Sequence, residues 1–402
     1  MIVRHKRLDK VLLLGASLGT LSLFLGWVTL RANRLSSGSA VPVWGCYGPE
    51  WTVLMGLVWI LVAFLSFRQV GRPFVSSLAS GLTGIAMAVL ILILLGPATR
   101  RLLENADPAA RVSLGGGFWV SVAAISVIVY AASRSLSGWV RHVVAWSGLV
   151  AAVVIVGSGW LDNLSVLVEY QGYRDRFWAE ALQHLRLSGF SVAIASMLGC
   201  LLGVWASRSH RAKAPILFVS SAVQTIPSLA LFGLIIAPLS ALSFAYPVLR
   251  EVGIRGIGTF PAIIALTIYS ILPVVQNTYV GISRVDAAVV DAGRGMGMSR
   301  WQLFKKVEAP LATPIVLEGI RIAWVQVVGL TAVAALVGAG GLGWFVLRGI
   351  GQAASDLIVL GAIPIIVLAL VVDQLMSVIV NVGTPSAFRG RVAIHGEHND
   401  TT

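Results

Sequence analysis

Ten stretches of almost unbroken apolar sequence, each close to the length a helix needs to cross a bilayer, dominate this 402-residue chain. A hydrocarbon core about 30 Å thick takes about 20 residues at 1.5 Å each. The stretches are residues 11–30, 51–67, 74–96, 117–132, 140–160, 187–205, 215–237, 259–281, 318–337 and 358–380. Backbone groups in lipid have no water to bond, and a helix satisfies them within one segment. The sequence therefore predicts an all-α polytopic membrane protein with about ten transmembrane helices. Only 12% of the residues are charged, against about a quarter in soluble domains.

The formal charge of +13 would suit a nucleic-acid binder if the basic residues were clustered on one surface. They lie instead in short connections between apolar runs, where positive charge fixes orientation, and nucleic acid is set aside as a partner. With the N-terminus in the cytoplasm, the cytoplasmic segments hold 18 Lys and Arg, the opposite segments 11, and Arg321 falls inside a span. The bias is clearest at Arg208, Arg211 and Lys213. Both termini are expected in the cytoplasm. The first run follows Arg4, Lys6, Arg7 and Lys10 like a secretory signal, but its length reads as a retained helix. Cys46 and Cys200 are far apart, so neither a disulfide scaffold nor a metal site is indicated, and no cofactor is expected.

Residues 1–160 read as an N-terminal region of about five transmembrane helices. From 161 to 186 the chain is more polar, and Phe177, Trp178, Ala181, Leu182 and Leu185 fall at helical spacing, which predicts an amphipathic helix on the external surface. Residues 187–380 form a second membrane region and 381–402 a cytoplasmic tail, disordered from Ala393.

The longest cytoplasmic connection, 282–317, contains a loop at 284–314 that predicts a knob. Val285 to Arg294 reads as a short helix, and Gly293, Gly295 and Gly297 as a corner. Ser299 caps a second helix through Lys306, which Pro310 and Pro314 end. A basic, apolar surface on rigid helices suits docking to a soluble partner; the alternative is an interfacial loop with snorkelling Lys305 and Lys306, since most basic loops only set topology.

Spacing adds a resemblance. Asp291, Ala292 and Gly293, then Gly297, then Val307, Ala309 and Pro310 resemble the coupling motif of binding-protein-dependent ATP-binding-cassette importers: Glu-Ala-Ala, three residues, Gly, nine residues, Ile, one residue, Leu-Pro. Asp291, Gly293, Val307 and Ala309 depart from it conservatively. QTIPSLALFG at Gln224–Gly233, GIGT at Gly256–Thr259 with Pro261-Ala262, Ala292–Met298 and LVGAGGLG at Leu336–Gly343 resemble the osmoprotectant branch, the permeases for glycine betaine, carnitine, choline or proline betaine. GGGFW at Gly115–Trp119 and LDNLSVLVEY at Leu161–Tyr170 resemble the longer YehY-like permeases. The resemblance implies a type I ABC-importer permease (MetI-like) fold in the C-terminal half and an inner-membrane permease subunit importing osmolytes. It also implies an ATP-binding-cassette ATPase subunit docked on the loop, an external solute-binding protein, and a second permease, a copy or a paralogue.

Pro227 and Pro273 free backbone carbonyls inside spans, which marks either a cavity wall or an ordinary kink. Gln224, Thr225, Gln276 and Asn277 are candidates for a translocation path or for interhelical hydrogen bonds. The glycines Gly338 to Gly343 predict an external turn leading to Trp344 and Phe345. Asp373 reads as either a functional acid or half of a structural pair. No Walker-type loop ending in Lys and Ser or Thr is present, so the chain is expected to be no enzyme, with ATP hydrolysis on another chain. A permease for an amino acid such as methionine is the alternative, and an ion-coupled secondary transporter a further one.

Overall fold

The computed structural model describes residues 8–34, 36–68, 73–251 and 253–383. Arg4, Lys6, Arg7 and the tail from 384 lie outside the described residues. The chain forms two compact units, one from the described residues up to Gly172 together with Gln352–Asp356, the other from Tyr173–Gly351 and from Leu357 onward.

The first unit opens with α1 (Lys10–Ser22), capped by the Asp9 carboxylate, which accepts from the Val11 and Leu12 amides at 3.0 and 3.1 Å. This corrects the expected first span at 11–30: the helix stops after 13 residues, about 20 Å. The chain then turns into strand β1 (Gly26–Arg31), which pairs antiparallel with β2 (Ser39–Pro42) on one side and β3 (Arg111–Leu114) on the other. Trp27 makes the stop, because its indole N–H donates to the Ser22 carbonyl at 2.8 Å and its ring is fully buried. A β-prone run, Trp-Val-Thr-Leu, then finds partners that a local reading of apolar content does not see.

A short helix α2 (Val43–Tyr47) leads into α3 (Pro49–Arg68), α4 (Pro73–Leu103), α5 (Gly116–Arg134), α6 (Gly138–Gly157) and α7 (Ser165–Gly172). α1 runs antiparallel to α3 and α5: the Asp9 amide donates to Ser66 O at 3.1 Å, and Ser121 Oγ donates to Ser22 Oγ at 2.7 Å. Small residues permit the approach. A Cβ on Gly15 would lie 2.6 Å from Ile128, and one on Gly19 2.3 Å from the Trp59 ring. The same holds in the GGGFW run, where a Cβ on Gly117 would meet Trp27 at 2.5 Å. In this unit the buried Asp356 carboxylate accepts from Ser113 Oγ at 2.8 Å and Ser165 Oγ at 2.7 Å, and Glu169 pairs with Arg34 at 2.9 Å.

The second unit begins with α8 (Arg174–Arg208), a single 35-residue helix. The surface helix expected within 161–186 is therefore not separate; its apolar residues belong to the first turns of α8, which continues into the span. α9 (His210–Thr225) and α10 (Ser228–Ala245) follow, then the short α11 (Val248–Glu251) and α12 (Thr259–Ser283). The expected single span at 215–237 is broken at Ile226–Pro227, since proline cannot donate to a continuing ladder, and its second half extends to Ala245. Beyond α12 lie α13 (Ala287–Gly295), α14 (Arg300–Leu303), a π-helical turn at Phe304–Glu308, α15 (Ala309–Ala334), α16 (Gly343–Gly351) and α17 (Ser355–Gly383).

Nine helices of the described residues are long and apolar enough to cross a membrane. α12 is the most buried of them. Glycines of α8 seat it on one side, where Cβ atoms on Gly199 and Gly203 would meet Val274 and Thr278 at 2.8 and 2.5 Å. On the other side Gly319 of α15 lies against Asn277, at 2.6 Å for an added Cβ. The glycine-rich run after α15 is a turn, with Gly338, Gly340 and Gly341 at φ of 77°, 76° and 88°. Its Gly341 amide donates to Glu180 Oε2 at 2.6 Å.

Candidate coupling elbow and broken-helix path

The connection between α12 and α15 is an elbow built by local chemistry. Asp286 caps α13 by accepting from the Ala288 amide at 2.9 Å. Gly297 ends α13: with φ at +78° it lets the Gly297 amide reach Arg294 O at 2.9 Å and the Met298 amide reach Gly293 O at 3.2 Å. These two bonds satisfy the last helix carbonyls in the pattern that a left-handed residue after a helix produces. Two residues on, Ser299 and Gln302 form a capping box, Gln302 N donating to Ser299 Oγ at 3.3 Å and Ser299 N to Gln302 Oε1 at 2.8 Å.

Beyond the box, the expectation that Pro310 and Pro314 end the second helix is corrected. Helix runs without interruption from Arg300 to Val337. Pro310 and Pro314 are both carried inside this continuous run, Pro310 in the turn that directly follows the π-helical residues. The register is absorbed by the π-helical turn, where the Ala309 amide reaches back to Phe304 O.

Of the motif positions, Gly293 is buried between the two arms, its added Cβ 2.6 Å from Leu303 and 3.9 Å from Val307. Asp291 and Ala292 are exposed, and Asp291 makes a surface ion pair with Arg294 at 3.1 Å. Val307 and Ala309 are half-buried and Pro310 exposed. Residues that spacing did not single out are exposed on the same connection: Met296 and Trp301, at 71% and 68%, and Val289. Trp301 stacks on Phe304 at 5.7 Å between ring centres.

The broken-helix residues are joined through proline chemistry. Pro273 has no N–H for the carbonyl of Tyr269, four residues earlier, and Gln224 Nε2 donates to that oxygen at 3.0 Å instead. In return Tyr269 Oη donates to Ile226 O, at the break between α9 and α10. Thr225 Oγ1 donates within its own helix to Ala222 O at 2.7 Å, Asn277 Nδ2 to Pro273 O at 2.8 Å, and Gln276 is exposed. The structure thus brings Gln224, Pro273 and the Pro227 break together through Tyr269, a residue the sequence reading missed. Elsewhere in this unit, Arg321 forms a two-pronged contact with Asp373 at 2.7 and 2.9 Å, with Glu318 at 3.3 Å. Asp373 is half of an ion pair.

Cys46 and Cys200 are free, and no metal-binding cluster occurs among the described residues.

Residues 195–381 match the family model of the binding-protein-dependent transport system inner membrane component, and residues 6–167 match the N-terminal domain of the ABC transporter permease YehY. The osmoprotectant import permease protein OsmW of Salmonella typhimurium is 37% identical over 229 residues, covering 57% of this chain and 100% of the relative. The chain belongs to the binding-protein-dependent permease family. The carnitine transport permease protein OpuCB of Listeria monocytogenes is 36% identical over 225 residues, covering 56% of this permease and 96% of the relative. Among solved structures, the inward-facing MetNI methionine ABC transporter matches with a TM-score of 0.45 and 20% identity, over 52% of this permease and 96% of that chain. As a member of this family the chain is a multi-span permease subunit of an ABC importer, its C-terminal half carrying the family's transmembrane domain.

Proposed function

We propose that this permease imports osmoprotectants of the glycine betaine, carnitine and choline class across the cytoplasmic membrane. Relatives matched over nearly their full length support the class; besides the two above, a glycine betaine/carnitine/choline permease protein of Bacillus subtilis, OpuCB, is 34% identical over 208 residues. The observation that carries the mechanism is the elbow at 284–314: two short capped helices held at a fixed angle by Gly297 and Gly293, continuous with a membrane helix, with Met296 and Trp301 outward. An ATPase subunit grips this face through its apolar residues and the Asp291, Ala292 and Gly297 edge, and its closure moves α15. ATP chemistry resides on that partner.

A solute-binding protein delivers substrate on the external side, and a second permease, a copy or a paralogue, completes the pathway beside the Gln224, Thr225, Pro227, Gln276 and Asn277 region. Both termini lie in the cytoplasm, α1 serving as a shortened crossing alongside α3 and α5. Residues 1–160 form the additional N-terminal membrane region and 381–402 the cytoplasmic tail. The test is uptake of labelled glycine betaine in cells lacking other osmolyte importers. Uptake should stop on ATP depletion and persist when the proton gradient is collapsed. The opposite pattern would return the chain to ion-coupled transport, and preference for methionine would reassign the substrate.

A further inference from the structure

The cytoplasmic end of α8 is tied to the elbow by a contact that neither the motif nor the family match assigns. Arg208, the last residue of α8, reaches Glu308, the last residue of the π-helical turn, with both guanidinium prongs; Nη1 donates to Oε1 at 3.1 Å and Nη2 to Oε2. The two residues stand 100 positions apart. Glu308 is 5% exposed although charged, and Arg208 also lies 5.7 Å from the Phe304 ring. A buried carboxylate is costly unless paired, and such a pair adds little to stability over apolar packing while fixing geometry strongly. The arginine is also well placed at a helix C-terminus, where the dipole favours a cation.

The surroundings indicate what geometry is fixed. α8 and α15 both pack on α12 through glycines, at Gly199 and Gly203 on one side and at Gly281 and Gly319 on the other. These three helices thus form one closely fitted body through the membrane. At the end of this body nearest the elbow the helices lead away, α8 toward α9 and α15 through the π-helical turn into α14. The pair spans that end.

We propose that Arg208 and Glu308 are a force-transmitting link: they lock the end of α8 to the base of the elbow, so that displacement of the elbow moves α8 and α15 together. This rests on the reading of the elbow as the ATPase docking element. Without the link the elbow bends at the π-helical turn, the least regular part of the helix from Arg300 to Val337, and ATP is hydrolysed without moving α8. Arg208 and Glu308 are positioning residues and touch no substrate.

The test uses the full permease in proteoliposomes with its ATPase subunit and binding protein, and glycine betaine as the probe. ATP hydrolysis is measured with and without loaded binding protein, together with glycine betaine imported per ATP. Glu308→Gln should still co-purify with the ATPase, while stimulation by loaded binding protein and import per ATP fall about 5-fold or more. The reversed pair Arg208→Glu with Glu308→Arg should recover part of both, and Arg208→Glu alone should not. If Glu308→Gln fails to assemble, Arg208→Lys, which keeps the charge without the two-pronged contact, should give a smaller drop in the same ratio. Unchanged stimulation in Glu308→Gln with normal ATPase binding would overturn the link alone. A wild-type permease that binds no ATPase through the elbow would overturn the docking reading, and the link with it.

Discussion

Replacing Gly297 by alanine should loosen the elbow without obstructing it. No atom lies within 4 Å of the position a Cβ would occupy, so the cost is conformational. At φ of +78° an alanine pays about 1–2 kcal/mol for the left-handed region. That energy opposes the two bonds that close α13, from Gly297 N to Arg294 O and from Met298 N to Gly293 O. A loss of about 1–2 kcal/mol lowers the closed-to-open ratio of the corner by about 5–30-fold, and the affinity of the ATPase subunit for the permease should fall by up to that factor. Asparagine tolerates the left-handed region better than alanine and should weaken association less; valine, β-branched, should weaken it more. The assay is titration of the purified ATPase subunit onto the permease in nanodiscs. If asparagine were as damaging as alanine or worse, bulk at the docking face would be limiting and the backbone account refuted.

Gln224→Leu removes the donor to the Tyr269 carbonyl and should destabilise the purified permease by about 1–3 kcal/mol in thermal melting; an unchanged melt with an altered KM for uptake would make Gln224 a path residue instead. Cys46 is buried and its thiol is pushed up to about 12, chiefly by burial and against the opposing effect of Arg101, so maleimide at neutral pH should leave it unlabelled until the chain is unfolded. Burial is also the largest influence raising the Glu169 carboxyl above its ordinary 4.5, with Arg34 opposing. The folded state therefore holds that proton more tightly than the unfolded one. Its contribution to stability is fully present below pH 4.5 and is lost as pH rises from there through the raised value. Melting compared with Glu169→Gln across this window should reveal that slope, and parallel curves would contradict it.

The spans were legible because lipid imposes a length and a composition that few other environments require; eight of the marked runs fall on helices long and apolar enough to cross a membrane, and a ninth, 215–237, is split between α9 and α10. Residues 11–30 pass for one span because they are largely apolar, and apolar content does not distinguish helix from strand. The strand depends on pairing with Ser39–Pro42 and Arg111–Leu114, which no local window contains. In the elbow, the cap at Ser299 and the corner at Gly297 were readable because each is fixed by neighbours within five residues. Pro310 and Pro314 do not end the helix because the π-helical turn just before them takes up the broken register, which the residue pattern alone does not signal. The Gln224 bond to Tyr269 and the Arg208 pair with Glu308 join residues 45 and 100 positions apart, and only folding brings them together.

The central claim is that the elbow faces the cytoplasm and meets a soluble motor there. The direct measurement is labelling of Met296→Cys, in a background with Cys46→Ser and Cys200→Ser, by a membrane-impermeant maleimide. Met296 is 71% exposed on the chain, so the protein's own fold does not shield the site from reagent. Inside-out vesicles should label, right-side-out vesicles should not, and bound ATPase subunit should protect the site. Labelling from the outside of intact cells would place the elbow beyond the reach of any cytoplasmic ATPase and contradict the account.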